Sequence, residues 1–168
     1  MHASERTGDP LAQLDARLRL LEDERSILET LCRYGHTIDY GLHPEWVDCF
    51  TEEGAFDIRF RGERQARIEG RPALASFISH HTVPPERFHK HLMVEPVITL
   101  DGDEATVESY YVRLDGHGEN GMTPAIKAFG RYSDHLLRCD DGRWRFTERI
   151  GNSDAFDDLG QLRTWLKS

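Results

Sequence analysis

A carboxylate and an imidazole are the two groups in this 168-residue chain whose placement points to proton-transfer chemistry. Asp39 comes at the end of a helical stretch, preceded at helical spacing by Gly35, Leu31 and Leu28. Its carboxylate therefore sits on the edge of an apolar stripe that also carries Tyr34 and Ile38. A buried carboxylate is costly unless it is paired or hydrogen-bonded. The plainer role for Asp39 is capping the turn from Gly41 to Pro44, and position alone leaves both readings open. His91 is the natural partner. It falls in a strand-like run where Leu92 and Val94 point one way and His89, His91 and Met93 the other. An unperturbed imidazole titrates near ~6.5, which suits proton abstraction at neutral pH. A carboxylate on one ring nitrogen would fix its tautomer and stabilise the imidazolium. By spacing alone a strand histidine is more often structural, and His36, His80, His81 and His135 carry weaker signals still.

The same strand offers a competing pattern. His89, His91 and Glu95, followed by Gly102, match the ligand spacing of the first cupin motif, and strict alternation would put all three on one strand face. The glycine that opens that motif is missing, since position 83 is Val, and no second cupin motif follows. The sequence reading is accordingly of a site with no metal and no cofactor. Arg131 and Tyr132, together with Asn152 and Ser153, could line a cavity, against the plainer readings of surface ion pair and turn. Trp46, Phe56, Phe77, Phe129 and Trp144 read most simply as core.

The elements that must position these groups begin with helices. Asp9 and Pro10 open the first, as N-cap and first helical residue, and Leu11, Leu14, Leu18 and Leu21 follow at helical spacing. A second stretch, or its continuation, runs from about Glu24 to Tyr40, and Pro44 starts a short helix. Ala55 to Phe60 alternates as a strand, Gln65 to Glu69 does so more weakly, and Arg71-Pro72 opens another helix. Strands are predicted over His89 to Leu100, Ala105 to Leu114, Ile126 to Leu137 and Arg143 to Ile150. Asp101-Gly102 and Asp141-Gly142 separate successive strands and are strong hairpin signals. The order implies an α+β fold built on an antiparallel meander, not on βαβ crossovers. No GxGxxG or phosphate-loop motif is present.

Composition narrows the partners. The formal charge is −9, with basic residues interspersed among acids, which argues against nucleic acid or anionic membrane surfaces. No run approaches the ~20 apolar residues of a membrane span, and residues 1–10 lack the apolar core of a secretory signal. A cytoplasmic protein is expected, with Cys32, Cys49 and Cys139 reduced.

The run from Ile27 through Tyr34 to Asp39, then Trp46 to Ala55, resembles the SnoaL-like branch of the nuclear transport factor 2-like superfamily. So do Phe88 to Thr106 and Asp141 to Trp144. The resemblance implies a cone-shaped, curved antiparallel sheet, an α+β barrel, packed on N-terminal helices around a pocket. It divides the chain into a helical extension over 1–20, the domain proper over 21–155 and a tail over 156–168, a candidate helix carrying Leu159, Leu162, Trp165 and Leu166. Scytalone dehydratase and bile acid 7α-dehydratase are the members most similar in pattern. By that resemblance His91, Asp39 and Tyr34 are catalytic, with His91 as base, Asp39 orienting it and Tyr34 donating to a developing oxyanion. Phe56, Met93, Tyr111, Arg113, Phe129, Arg131 and Asn152 are expected to contact a small, mostly apolar cyclic substrate. Arg113 stands where the bile acid dehydratase pattern has an Asp, and Ser153 where it has a late Arg, so the substrate should differ. The resemblance also implies a homodimer or homotrimer, and leaves a non-catalytic ligand-binding or assembly module as the alternative.

Overall fold

The computed structural model describes residues 9–117 and 123–156. The expected tail helix beyond Phe156 lies outside them. A single helix, α1, spans Pro10–Asp39. Asp9 caps it through a carboxylate that accepts the Leu11 N–H at 3.1 Å, Pro10 supplies the pre-set first residue, and Gly41 ends the turn beyond it at a φ of +71°. The two expected helical stretches are one, because no residue between them interrupts the ladder. Its two halves differ: Leu11, Leu14, Leu18 and Leu21 are exposed, and burial starts at Ile27 and continues through Leu31, Tyr34 and Ile38.

Two short helices follow, α2 (His43–Val47) and α3 (Arg71–Ser79), with six strands: β1 (Phe50–Phe60), β2 (Glu63–Glu69), β3 (His89–Asp101), β4 (Glu104–His117), β5 (Thr123–Arg138) and β6 (Trp144–Phe156). They form one curved sheet in the order β2-β1-β6-β5-β4-β3. The expected α+β fold is present, with two corrections. The sheet stays open and does not close into a barrel. β1 and β6 pair in parallel, with Phe56 opposite Arg149. Hairpin signals fix the direction of strands adjacent in sequence, and no local turn specifies that of β1 against β6. β2 is a full partner of β1 through a turn in which Arg61 and Gly62 both have positive φ, at 49° and 86°. Two such residues match the twist of a tight hairpin. An Arg there gives no turn signal in the sequence.

The core lies between α1 and the sheet. Tyr34 is its hub, with ring centroids 5.5 Å from Trp46, 5.9 Å from Phe146 and 6.1 Å from Tyr132. Within this aromatic shell is a buried ion pair. Arg149 on β6 donates to both carboxylate oxygens of Asp134 on β5, each at 2.8 Å, and both side chains are 0% exposed. The pairing is built into the sheet, since the two residues sit opposite each other in register. The guanidinium also lies 4.1 Å from the Tyr34 ring centre and 4.0 Å from that of Tyr132, so delocalised charge meets two ring faces. Removing one partner of a buried pair strands the other, at a cost of about 3–5 kcal/mol, whereas replacing both by apolar groups can be neutral. Denaturant unfolding is expected to show Asp134→Ala destabilised by about that amount, with much of the loss recovered when Arg149→Met is added. Equal, additive losses in the two single variants would contradict the pairing energy.

Candidate active site

Asp39, at the C-terminal end of α1, is 3% exposed and reaches across to β3. Its Oδ1 and Oδ2 accept the backbone N–H of His91 at 3.2 and 3.0 Å, and Oδ1 lies 2.6 Å from His91 Nδ1. The carboxylate is thus bonded both to the main chain and to the imidazole of the same β3 residue. Such an arrangement makes His91 Nδ1 the donor and leaves Nε2, on the opposite side of the ring, as the lone-pair nitrogen. Burial lowers the His91 pKa, and the hydrogen bond to Asp39 partly offsets that fall, so the ring is neutral at pH 7.

The close approach of α1 to β3 depends on Gly35. A Cβ placed there would stand 3.0 Å from the His91 carbonyl oxygen. That contact is tight and made with backbone, which cannot rotate away. Gly35→Ala should therefore push β3 from the helix and loosen the Asp39–His91 contact. We expect a shifted and broadened His91 imidazole NMR signal. An unchanged His91 signal would show that the spacing is not set here.

Two more histidines join the cluster. His89 is 2% exposed, with Nε2 3.7 Å from Asp39 Oδ1 and 3.0 Å from His81 Nε2. Burial depresses both, His89 to about 4 and His81 to about 2, with neighbouring charges adding to the fall. Nothing in the spacing around His81 marks it, because it lies just past a helix end with no periodicity on either side. Glu95 does not belong to this group. A bulge between Val94 and Val97 interrupts the pairing of β3 with β4, and Glu95 lies within it, exposed and at a φ of +52°. The alternation that would have aligned Glu95 with His89 and His91 is broken at that point.

His91 and His81 line a narrow cavity of about 80 Å³ between α1, α3 and the inner face of the sheet. Its wall includes Tyr34, Phe56, Tyr111, Arg113, Tyr132 and Ser153. Tyr34 shares a hydrogen bond with Tyr132, and burial pushes its phenol up to about 12, so it remains a donor. Tyr111, stacked 4.6 Å from Tyr132, is hydrogen-bonded to Ser153 Oγ. Arg113, opposite His91 in register, is held by Asp115 at 2.8 Å, and Arg87 binds the same carboxylate at 3.0 Å.

The other expected contact residues lie elsewhere. Met93 points inward but packs on Arg149, with Sδ 3.2 Å from Nη2, behind the cavity wall. Phe129 is 48% exposed and Arg131 is exposed over the Tyr110 ring, both on the outer face of β5. Phe129 is therefore also not core. Asn152 accepts the Gly62 N–H at 2.8 Å at the rim of the β1–β2 turn. For Phe129, Arg131 and Asn152 the inward residue is the neighbour: Ala128 and Tyr132 on β5, Ser153 on β6. The alternation of β5 carries that signal, and reading Phe129 by its aromatic type overrode it.

The pattern of the SnoaL-like domain matches residues 19–150 of this fold and site. The chain belongs to the SnoaL-like family. Among solved structures, Mycobacterium tuberculosis Rv3472, a protein of unknown function, is 30% identical, over 86% of this chain and 82% of that one, with a TM-score of 0.67. An NTF2-like protein with a cystatin-like fold from Novosphingobium aromaticivorans is 25% identical, over 94% and 97% of the two chains, with a TM-score of 0.69. ActVI-ORFA from Streptomyces coelicolor, 18% identical over 78% and 96% with a TM-score of 0.66, shares the fold. No curated protein matches the chain. Among the described residues no helix is long and apolar enough to cross a membrane.

Proposed function

We propose that this SnoaL-like protein is a cofactor-independent lyase of the dehydratase type, or an isomerase, acting on a small, mostly apolar cyclic or aromatic molecule. The observation that carries the reading is the 2.6 Å contact of a buried carboxylate with His91 Nδ1, on a ring that lines a cavity. His91 Nε2 takes a proton from carbon next to a carbonyl. The electron pair left behind moves onto the carbonyl oxygen, and the imidazolium is stabilised by Asp39. Tyr34, protonated at its raised pKa, donates to that oxygen. In an elimination the enolate re-forms the carbonyl as the leaving hydroxyl departs with the proton from His91. In an isomerisation the proton returns to another carbon. General-base help of this kind contributes ~10²–10⁴-fold, and an aligned oxyanion donor adds ~10²–10³-fold.

The reading is testable before the substrate is known. Wild-type protein should exchange the α-protons of cyclic ketones with D2O, followed by NMR, and His91→Gln and Asp39→Asn should each slow exchange ~10²-fold or more while melting normally. Exchange at wild-type rate in both folded variants would remove the mechanism and favour a binding module.

A homodimer or homotrimer belongs to the same proposal. Cross-strand neighbours Leu92, Val112 and Phe129 form an apolar row on the outer sheet face, beside exposed Val94, Tyr110 and Ile126. An apolar surface of this kind marks an interface. Phe129→Lys with Ile126→Lys should lower the mass seen by light scattering. A monomeric wild type would dismiss the interface.

A further inference from the structure

The first half of α1 projects past the sheet. Residues 10–22 are exposed throughout. Asp23 is the first partly shielded position of the helix, accepting Trp144 Nε1–H at 3.2 Å and pairing with Arg138 at 3.0 Å. Leu11, Leu14, Leu18 and Leu21 are each more than half exposed. At about 100° per residue they face roughly 150° away from the buried stripe of Ile27, Leu31, Tyr34 and Ile38. The helix therefore cannot turn both faces to its own sheet. The leucines recur as a heptad seam, Leu11 and Leu18 at a, Leu14 and Leu21 at d, and exposed Leu28 continues d. Arg25 takes the a position before Leu28, and its charge is matched by Glu29 of the same helix at 3.0 Å.

We infer that this seam docks on the same seam of a second copy of the chain, as a parallel two-stranded coil in register. Charge decides the direction. Arg17 stands at g, and Asp15 and Glu22 stand at e. In parallel register the g residue of one helix meets the e residue of the other's next heptad, so Arg17 faces the partner's Glu22 on both sides of the coil. Glu24 faces the partner's Glu29, a charge that Arg25 already offsets. Antiparallel packing of the same leucines flanks g with g and e with e. It sets Arg17 against the partner's Arg17 and Asp15 against the partner's Asp15, like charges at both edges. Most helical stability in a protein comes from packing an apolar face, and the coil supplies that packing to the leucine half of α1. The seam lies on α1, apart from the outer sheet face, and the inference does not rest on the dyad.

The full-length protein is followed by sedimentation and by oxidative crosslinking. Leu14→Glu with Leu18→Glu should halve the assembled mass and lower the helical signal in the far ultraviolet, while the near-ultraviolet signal of the aromatic core is kept. In a Cys32→Ser, Cys139→Ser background, Leu21→Cys should oxidise to a disulfide-linked pair of chains, because parallel register sets the two residues side by side. Antiparallel packing holds them ~15 Å apart along the axis. Arg19→Cys in the same background, on a flank turned from the seam, should not crosslink. Phe129→Lys with Ile126→Lys, which addresses the sheet face, should leave the Leu21→Cys crosslink intact. A mass unchanged by the glutamates overturns the docking. Absence of the crosslink, or equal crosslinking at position 19, overturns the parallel register. Should the glutamate variant unfold, the two cysteine variants decide alone.

Discussion

The carboxylate of Asp39 ties the end of the long helix to the middle of β3, and the site is organised around that bond. One ionised group meets the backbone amide and the ring of a single residue, so the helix end cannot slide along β3 without breaking both contacts at once. Hydrogen bonds to a charged acceptor are worth more than neutral ones, and removing one partner from a buried set exposes the full desolvation cost of the rest. That coupling is why the residue that anchors the helix end is also the one that, in the proposed mechanism, orients the base.

A second interior charge pair lies deeper, and the two are set up differently. Asp134 and Arg149 neutralise each other within the sheet and are walled off by aromatic faces. Among the described residues no guanidinium pairs with Asp39, which is matched by hydrogen bonds to a neutral ring and an amide. The first arrangement is static, because the two charges satisfy each other. The second leaves room for a positive charge, in the form of a proton on the imidazole beside it.

Much of this was legible in the sequence, for reasons that differ by element. Asp9-Pro10, Asp101-Gly102 and Asp141-Gly142 mark boundaries through local chain geometry, and each boundary lies where those residues put it. Alternation around His91 correctly separates Leu92 and Val94, exposed, from His89, buried. What escaped were relations between residues distant in the chain. The Asp134–Arg149 pair depends on β5–β6 register, the parallel contact of β1 with β6 has no turn to announce it, and His81 joins the cluster only once α3 is placed. Phe129, Arg131 and Asn152 went astray by one residue each, the smallest possible slip and one that reverses the face.

The bulge at Glu95 and Pro96 divides β3 into two stretches of opposite phase. Upstream, His89 and His91 turn inward; downstream, one extra residue lets Ile98 and Leu100 do the same against the core. The two exposed residues between them make no contact with the core, and it is their number that sets the phase. Loss of a single codon there would rotate either the histidines or the core residues into solvent. At that point the fold depends on the number of residues more than on their side chains.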